Sequence, residues 1–330
     1  FTDFKYEKIM CLNSGSEVNG LACRIANTHM KTKPVMVNLS HSFHGRTEIP
    51  SQLSDSNKDI YKENLSDFSM ANRHKTIYSI EPNNLNSLYK IFQTIDDNNE
   101  FPEITVIEPV MGEGNPGYAI NSAFYNKLRQ LTKERGGLLL VDSIQAGLRC
   151  TGKLSLTSYP GFENCEPPDM ETFSKALNGG QYPFSVLALN SFAAEKYIKG
   201  LYGNTMTSNP RALDIASEVL TTFKRDKLDK NIVEMGGILL NELKKMATKY
   251  PFILNVEGKG LLLSIHIDQS VKNAITLERE IRNNGLNVIH GGENAIRLTP
   301  WFYINEKEIE LIVSILDTSF QKVLPSSSDM

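Results

Sequence analysis

The sequence predicts an α/β fold, a mainly parallel sheet in a large domain followed by a smaller C-terminal α+β domain. Three observations carry this. Short apolar runs bounded by turns alternate with amphipathic stretches over the first half of the chain, as strands alternate with helices in a parallel sheet. The run Gly137–Asp142 (GLLLVD) is apolar without period-two alternation, as expected of a strand buried on both faces. Finally, 330 residues exceed the roughly 250–300 at which a single core stops growing.

In chain order, Lys8–Leu12 reads as a strand and Glu17–His29 as a helix. Pro34–Leu39 and Ile104–Ile107 follow as strands, then Ala123–Arg135 as a helix and Leu138–Val141 as a strand. Asp55–Asn84 is polar and weakly periodic, and reads as a long surface excursion. After Asn209-Pro210 the texture changes to helices at Arg211–Phe223 and Lys227–Lys249, an apolar run Gly260–Ile267, a helix near Thr276–Asn284, a short run Ala295–Leu298 and a last helix Glu306–Val323. The expected division is therefore a large domain over 1–215 and a small one over 216–330. The tail Pro325–Met330 reads as frayed. The chain opens at Phe1 without Met, and Lys5–Leu12 already reads as an interior strand entering a glycine turn. A segment upstream, with any targeting peptide, is expected to be missing.

Composition narrows the function classes. Hydrophobic content of 40%, charged content of 22% and a net charge of -3 give no bias toward nucleic acid or anionic membranes. No apolar run reaches the roughly 18–20 residues of a spanning helix. Cys11, Cys23, Cys150 and Cys165 show no zinc spacing and read as idle thiols in a reducing compartment, the cytoplasm. No Walker motif or GxGxxG occurs, which argues against a nucleotide-binding α/β protein.

Three features can carry chemistry. Asn13–Glu17 (NSGSE) stands between a strand and a helix, where backbone N–H groups and the helix N-terminus suit an anion; a tight turn with serine capping explains it equally. Asp142 ends a buried strand, where sites form in open α/β sheets; helix capping is the rival. Lys175 follows a short apolar segment and precedes small residues, and a lysine so placed can condense with an aldehyde if its amine is neutral. Alone it would be a solvated surface charge. Phe43 likewise could be ordinary core packing.

Taken in order, NSGSEVN at 13–19, SFHGRT at 42–47, EPVMGEG at 108–114, LLVDSIQAG at 139–147, PDMETFSK at 168–175, TMTSNP at 205–210 and AIRLTP at 295–300 make the chain similar to the class III aminotransferases. That family includes ornithine, acetylornithine and 4-aminobutyrate aminotransferases, has fold type I and uses pyridoxal 5′-phosphate. The resemblance implies that Lys175 forms the internal aldimine and shuttles the substrate proton, and that Asp142 pairs with the ring nitrogen. It assigns Gln145 to the ring's 3-oxygen, Phe43 to stacking on its face, and Gly15 and Ser16 to the phosphate. Thr205 is expected to reach the phosphate from a second subunit, which makes a homodimer part of the site. Arg46 and Arg297 are the implied carboxylate-binding arginines, and Glu113 the residue that covers Arg297 when the donor lacks a carboxylate there. The implied reaction moves an amino group from an amino acid or ω-amine donor to a 2-oxo acid, 2-oxoglutarate above all.

The chain departs from the family at Ser143, where a glutamate is usual, and at Cys150, where an arginine is common. Other class III reactions (aminomutase, decarboxylase) and a non-catalytic relative are the alternatives. Retention of both arginines favours transamination, and retention of Lys175, Asp142, Gln145 and Thr205 favours catalysis.

Overall fold

A computed structural model describes residues 4–29, 32–64 and 76–323. The strands β1 (Lys8–Leu12), β2 (Pro34–Leu39), β3 (Ile77–Ile80), β4 (Phe101–Ile107), β5 (Leu138–Asp142), β6 (Met170–Phe173) and β7 (Ser185–Leu189) form one sheet in the order β1-β7-β6-β5-β4-β2-β3. Pairing is parallel from β3 across to β6, and antiparallel where β7 meets β6 and β1. Since β7 alone is reversed, β1, β2, β4, β5 and β6 all deliver their C-terminal ends to one edge. Ligand crevices of open α/β sheets form at such an edge.

The central strands are covered on both faces. Leu138, Leu139, Leu140 and Val141 of β5 are wholly buried, each burial favouring the fold by roughly 1.5–3 kcal/mol. On one face lies α1 (Gly15–Ala26), whose Val18, Leu21, Ala22 and Ile25 are buried at the 3.6-residue period. Ser14 caps this helix and Glu17 returns the bond, a full capping box that fixes where its N-terminus points. After α2 (Glu48–Leu53) and α3 (Lys58–Asn64), the helices α4 (Leu85–Asp97) and α5 (Ser122–Glu134) cover the other face through Leu88, Phe92, Phe124 and Leu128. The short α6 (Ser191–Lys196) follows β7.

α7 (Pro210–Arg225) and α8 (Leu228–Lys249) lead to a second sheet of β8 (Ile253–Lys259), β9 (Leu262–Ile267), β10 (Ile289–Gly291) and β11 (Ala295–Leu298), antiparallel throughout in the order β10-β11-β9-β8. The helices α8, α9 (Ala274–Asn283) and α10 (Glu306–Gln321) cover it.

The main elements fall where the sequence puts them, with end shifts of a few residues. Asp55–Asn84 needs correction, because this stretch contains α3 and the edge strand β3, which pairs in parallel with β2; residues 65–75 lie outside the described residues. A four-residue strand surrounded by polar sequence carries too little periodicity to stand out. β7 and β8 were also unread, as was α4. The tail Pro325–Met330 lies outside the described residues. Among the described residues no helix is long and apolar enough to cross a membrane, and no His/Cys/Asp/Glu group could hold a metal ion.

Candidate active site

Five strand tips converge on one cleft of about 170 Å³. Asp142, the last residue of β5, forms its floor and is 4% exposed. Asn19 Nδ2 donates to Asp142 Oδ2 at 2.8 Å, His44 Nδ1 lies 2.8 Å from the same oxygen, and Ile144 N–H donates to Oδ1 at 3.1 Å. Asn19 is itself held, donating to the His44 carbonyl and accepting from Thr172 Oγ at 2.9 Å. A carboxylate this buried is tolerable only when so many donors face it.

Lys175 stands two residues beyond β6, with Ser174 anchored to the Phe184 carbonyl at 2.7 Å. Its φ of 44° is in the left-handed region, a strain of about 1–3 kcal/mol for a residue with a side chain. The side chain is open to the cleft, yet the walls surround its amine, which contacts Gln145 Oε1. Desolvation, and then the Arg297 charge, hold the ammonium below the usual lysine range, while Asp142, Glu113 and Glu108 pull the other way. A lowered pKa makes the neutral, nucleophilic amine accessible.

Ser14, Gly15 and Ser16 bring the N-terminal turn of α1 to the cleft wall. Gly45, at φ 129°, lies so close to Ser16 that a Cβ there would overlap its hydroxyl. Phe43, Ile144 and Gln145 also line the cleft. Glu113 reaches the cleft from the loop after β4 and forms an ion pair with Arg297 of β11 at 2.5 Å; Arg297 Nη1 also donates to the Gly112 carbonyl. Arg297 is 8% exposed and its Nε is buried without a hydrogen-bond partner among the described residues.

Thus Gly15, Ser16, Phe43, Glu113, Asp142, Gln145 and Lys175 share one cleft, with Arg297 bonded to its rim. Arg46 does not line it. The Arg46 guanidinium is stacked 5.5 Å from the Phe43 ring centroid and opens into an adjoining pocket that shares Glu113. Thr205 is exposed and outside the cleft of its own subunit. Its loop is pinned to α1 by Tyr202 Oη, which donates to Glu17 Oε1 at 2.7 Å, and by Asn204 at 3.1 Å.

The family model described as "Aminotransferase class-III" matches residues 2–320. The chain belongs to the class III aminotransferases. It is 29% identical over 326 residues to the acetylornithine aminotransferase of Prochlorococcus marinus, covering 96% of this chain and 74% of that protein. With the ornithine aminotransferase 1 of Staphylococcus aureus it shares 28% over 324 residues, covering 96% and 76%. Among solved structures, the ornithine aminotransferase of Toxoplasma gondii superposes with a TM-score of 0.83 at 23% identity, covering 96% of this chain and 73% of that one. A transaminase from Virgibacillus gives 0.84 at 19%, covering 98% and 76%. These last two likenesses speak to the fold.

The protein is therefore a transaminase, and its cofactor is pyridoxal 5′-phosphate. The residues present fit that group. Asp142 lines the cleft, and its Oδ1 has, among the described residues, a single backbone donor, leaving a lone pair for a ring N–H. The α1 N-terminus offers amides to a phosphate, and Lys175 offers an amine with a lowered pKa.

Sequence reasoning passed over three residues: His44, Asn19 and Glu108. All are buried, at 2%, 1% and 3% exposure. Each stood inside a quoted motif, so the signal was a polar residue at a position the fold had to bury; which group it faced lay in tertiary contacts.

Proposed function

We propose that this aminotransferase holds its cofactor through Lys175 and moves an amino group from an ω-amine donor to 2-oxoglutarate. The observation that carries the reading is the joint presence of the Lys175 amine, the Asp142 carboxylate and the Glu113–Arg297 pair at one cleft. When bound, the cofactor supplies a protonated ring that acts as an electron sink for the substrate carbanion. Asp142 keeps the ring nitrogen protonated by pairing with it. The Lys175 amine would take the proton from the substrate carbon that bears the amino group and deliver it to the carbon on the other side of that nitrogen, the cofactor's former aldehyde carbon. Gln145 orients the ring's 3-oxygen, Phe43 covers its face, and Gly15 and Ser16 hold the phosphate. Thr205 of a second copy completes the phosphate site in a homodimer, which accords with its exposure. Residues 1–215 and 216–330 form the large and small domains, with Arg297 brought to the cleft by the second.

Arg46 binds a donor carboxylate in the adjoining pocket. Arg297 alternates between Glu113 in the donor half-reaction and the α-carboxylate of glutamate in the other, so its guanidinium is never left buried and uncompensated. Single-turnover kinetics of the two half-reactions test this. Arg297→Ala slows the 2-oxoglutarate half-reaction by about two decades, as for roughly 3 kcal/mol of lost pairing, and leaves the donor half within a few-fold. Glu113→Gln shifts preference toward glutamate. Equal losses in both halves for both variants would mean a fixed structural pair.

A further inference from the structure

Where the two sheets meet, a cation with no part in the reading above joins them. Arg149 lies in the loop after β5, beyond Gln145. Its Nη1 donates to the Pro300 carbonyl at 2.7 Å, and its guanidinium stacks 4.6 Å from the Phe302 ring centroid. Its own carbonyl accepts the Leu261 N–H at 3.0 Å, from the turn between β8 and β9. In that turn Gly260, at φ 57°, presses so closely on Cys150 that a Cβ would come within 2.3 Å of the Cys150 carbonyl oxygen. The segment that receives Arg149 is itself fixed, since Asn231 of α8 donates to the Phe302 and Ile304 carbonyls at 2.8 and 3.0 Å. Pro300 follows Arg297 closely in sequence. The loop that carries Gln145 is thus fastened to the strand that carries Arg297.

The charge on this clasp is left over. Among the described residues the Arg149 guanidinium donates to the Pro300 carbonyl and, at 3.4 Å, to the Leu261 carbonyl, and no carboxylate pairs with it. A guanidinium drawn this far out of water without a counter-ion is costly. Burial lowers its pKa to about 10, and Arg297 is the like charge that adds to the lowering. Arg149 therefore stays cationic at neutral pH. Arg297 holds Glu113, so two guanidinium groups stand against one acid. The three carry one net positive charge; an arriving carboxylate neutralises it, whereas an ammonium adds to it.

We propose that Arg149 is a positioning residue for a dicarboxylate acceptor: through the Pro300 carbonyl it holds the strand of Arg297 against the cleft, and its unpaired charge favours the carboxylate that Arg297 receives. Arg149 does not itself line the cleft. Its influence passes through the backbone beyond β11 and through its field, which acts strongly where water is excluded. The arrangement explains why an uncompensated cation is kept at a junction that apolar packing could fill. Its cost is offset when an anion binds at Arg297.

The inference rests on Arg297 receiving a carboxylate of the acceptor, and the test separates the two claims. The probe is glutarate, a dicarboxylate that lacks the keto oxygen and so binds without reacting. Its Kd on the holoenzyme is measured by calorimetry, with the visible absorbance of the bound cofactor followed in parallel. Arg149→Met weakens glutarate by about tenfold, or about 1.4 kcal/mol, and leaves the absorbance unchanged. Arg149→Lys keeps the charge but not the planar fork, and its Kd falls between the two. In an Arg297→Ala background the Arg149→Met change costs at most threefold, because the two residues act on one carboxylate. A wild-type Kd for Arg149→Met overturns the proposal, as does the same tenfold loss in both backgrounds. Loss of cofactor in step with loss of glutarate also overturns it, since Arg149 would then merely prop the fold. Glutarate that fails to bind the wild type, or that is indifferent to Arg297→Ala, instead sinks the Arg297 reading, and this inference with it. Should Arg149→Met fail to fold, Arg149→Gln, whose amide can still donate to the Pro300 carbonyl, takes its place under the same criteria.

Discussion

Replacing Asp142 tests the floor of the site most directly. Asp142→Asn keeps the shape of the side chain but removes its charge, so a protonated ring loses its buried counter-ion, a loss of about 3–5 kcal/mol. At about 1.4 kcal/mol per decade, cofactor Kd weakens by roughly two to three and a half decades. Asp142→Ala goes further, since the Asn19 and His44 donors lose their common acceptor. Each buried donor left unpaired costs about 1–3 kcal/mol, so the apoprotein itself loses roughly 2–6 kcal/mol. Fluorescence titration of the apoprotein with cofactor gives the first quantity and urea denaturation the second. A Kd within threefold of wild type for Asp142→Asn would refute the ring-pairing argument. An unchanged denaturation midpoint for Asp142→Ala would show that the Asn19 and His44 donors find other partners.

Lys175→Ala is expected to abolish transamination while the fold is retained, because among the described residues no other lysine lines the cleft; full turnover, or an unaltered visible absorbance of the bound cofactor, counts against the assignment. The Glu108 carboxyl bears on stability with a definite sign. Its native pKa is raised from 4.5 to about 7, so between those values the native state binds the proton more tightly than the unfolded chain. Its contribution therefore declines as pH rises through that window, by at most ~1.4 kcal/mol per pH unit. Apoprotein denaturation at pH 5, 6, 7 and 8 should show a shallower decline for Glu108→Gln than for wild type, and parallel curves would contradict the assignment.

How much was legible beforehand follows from where the information sits. β5 could be read because both of its faces are buried, which leaves an uninterrupted apolar run ending in Asp142. The capping box of α1 could be read because Ser14 and Glu17 are near neighbours in sequence. The contact between Glu113 and Arg297 spans the two sheets, and only the resemblance joined them. Composition and period had nothing to say about β3, an edge strand of four residues, or about β7, whose reversal fixes the direction of every other strand tip. Asn19 and His44 meet at Asp142 from α1 and the loop after β2, and Glu108 holds the Phe43 and Gly112 amides from the end of β4; long-range polar pairing of this kind leaves no periodic trace.

The departures at Ser143 and Cys150 bear on whether the cleft keeps its chemistry, and neither residue lines it. Ser143 is 1% exposed, and its hydroxyl donates to Glu171 Oε1 at 2.8 Å. Glu171, on β6 beside β5, also receives Tyr6 Oη at 2.6 Å, Ser155 Oγ at 2.7 Å and the Leu156 N–H at 2.9 Å. An acid thus still occupies the space behind Asp142, on the next strand, with donors on both oxygens. Such a network is tolerated in a core because its members satisfy one another. Cys150 is 1% exposed, and burial pushes its thiol up to about 12, so it stays protonated and unreactive. The positive charge in this stretch belongs to Arg149, which donates to the Pro300 carbonyl at 2.7 Å and stacks 4.6 Å from the Phe302 ring centroid. Leu261 N–H returns a bond to the Arg149 carbonyl at 3.0 Å. Both substitutions therefore act on how the loop after β5 is buttressed against Glu171 and the second sheet, while the groups facing the cleft, Asp142, Gln145 and Lys175, are unchanged.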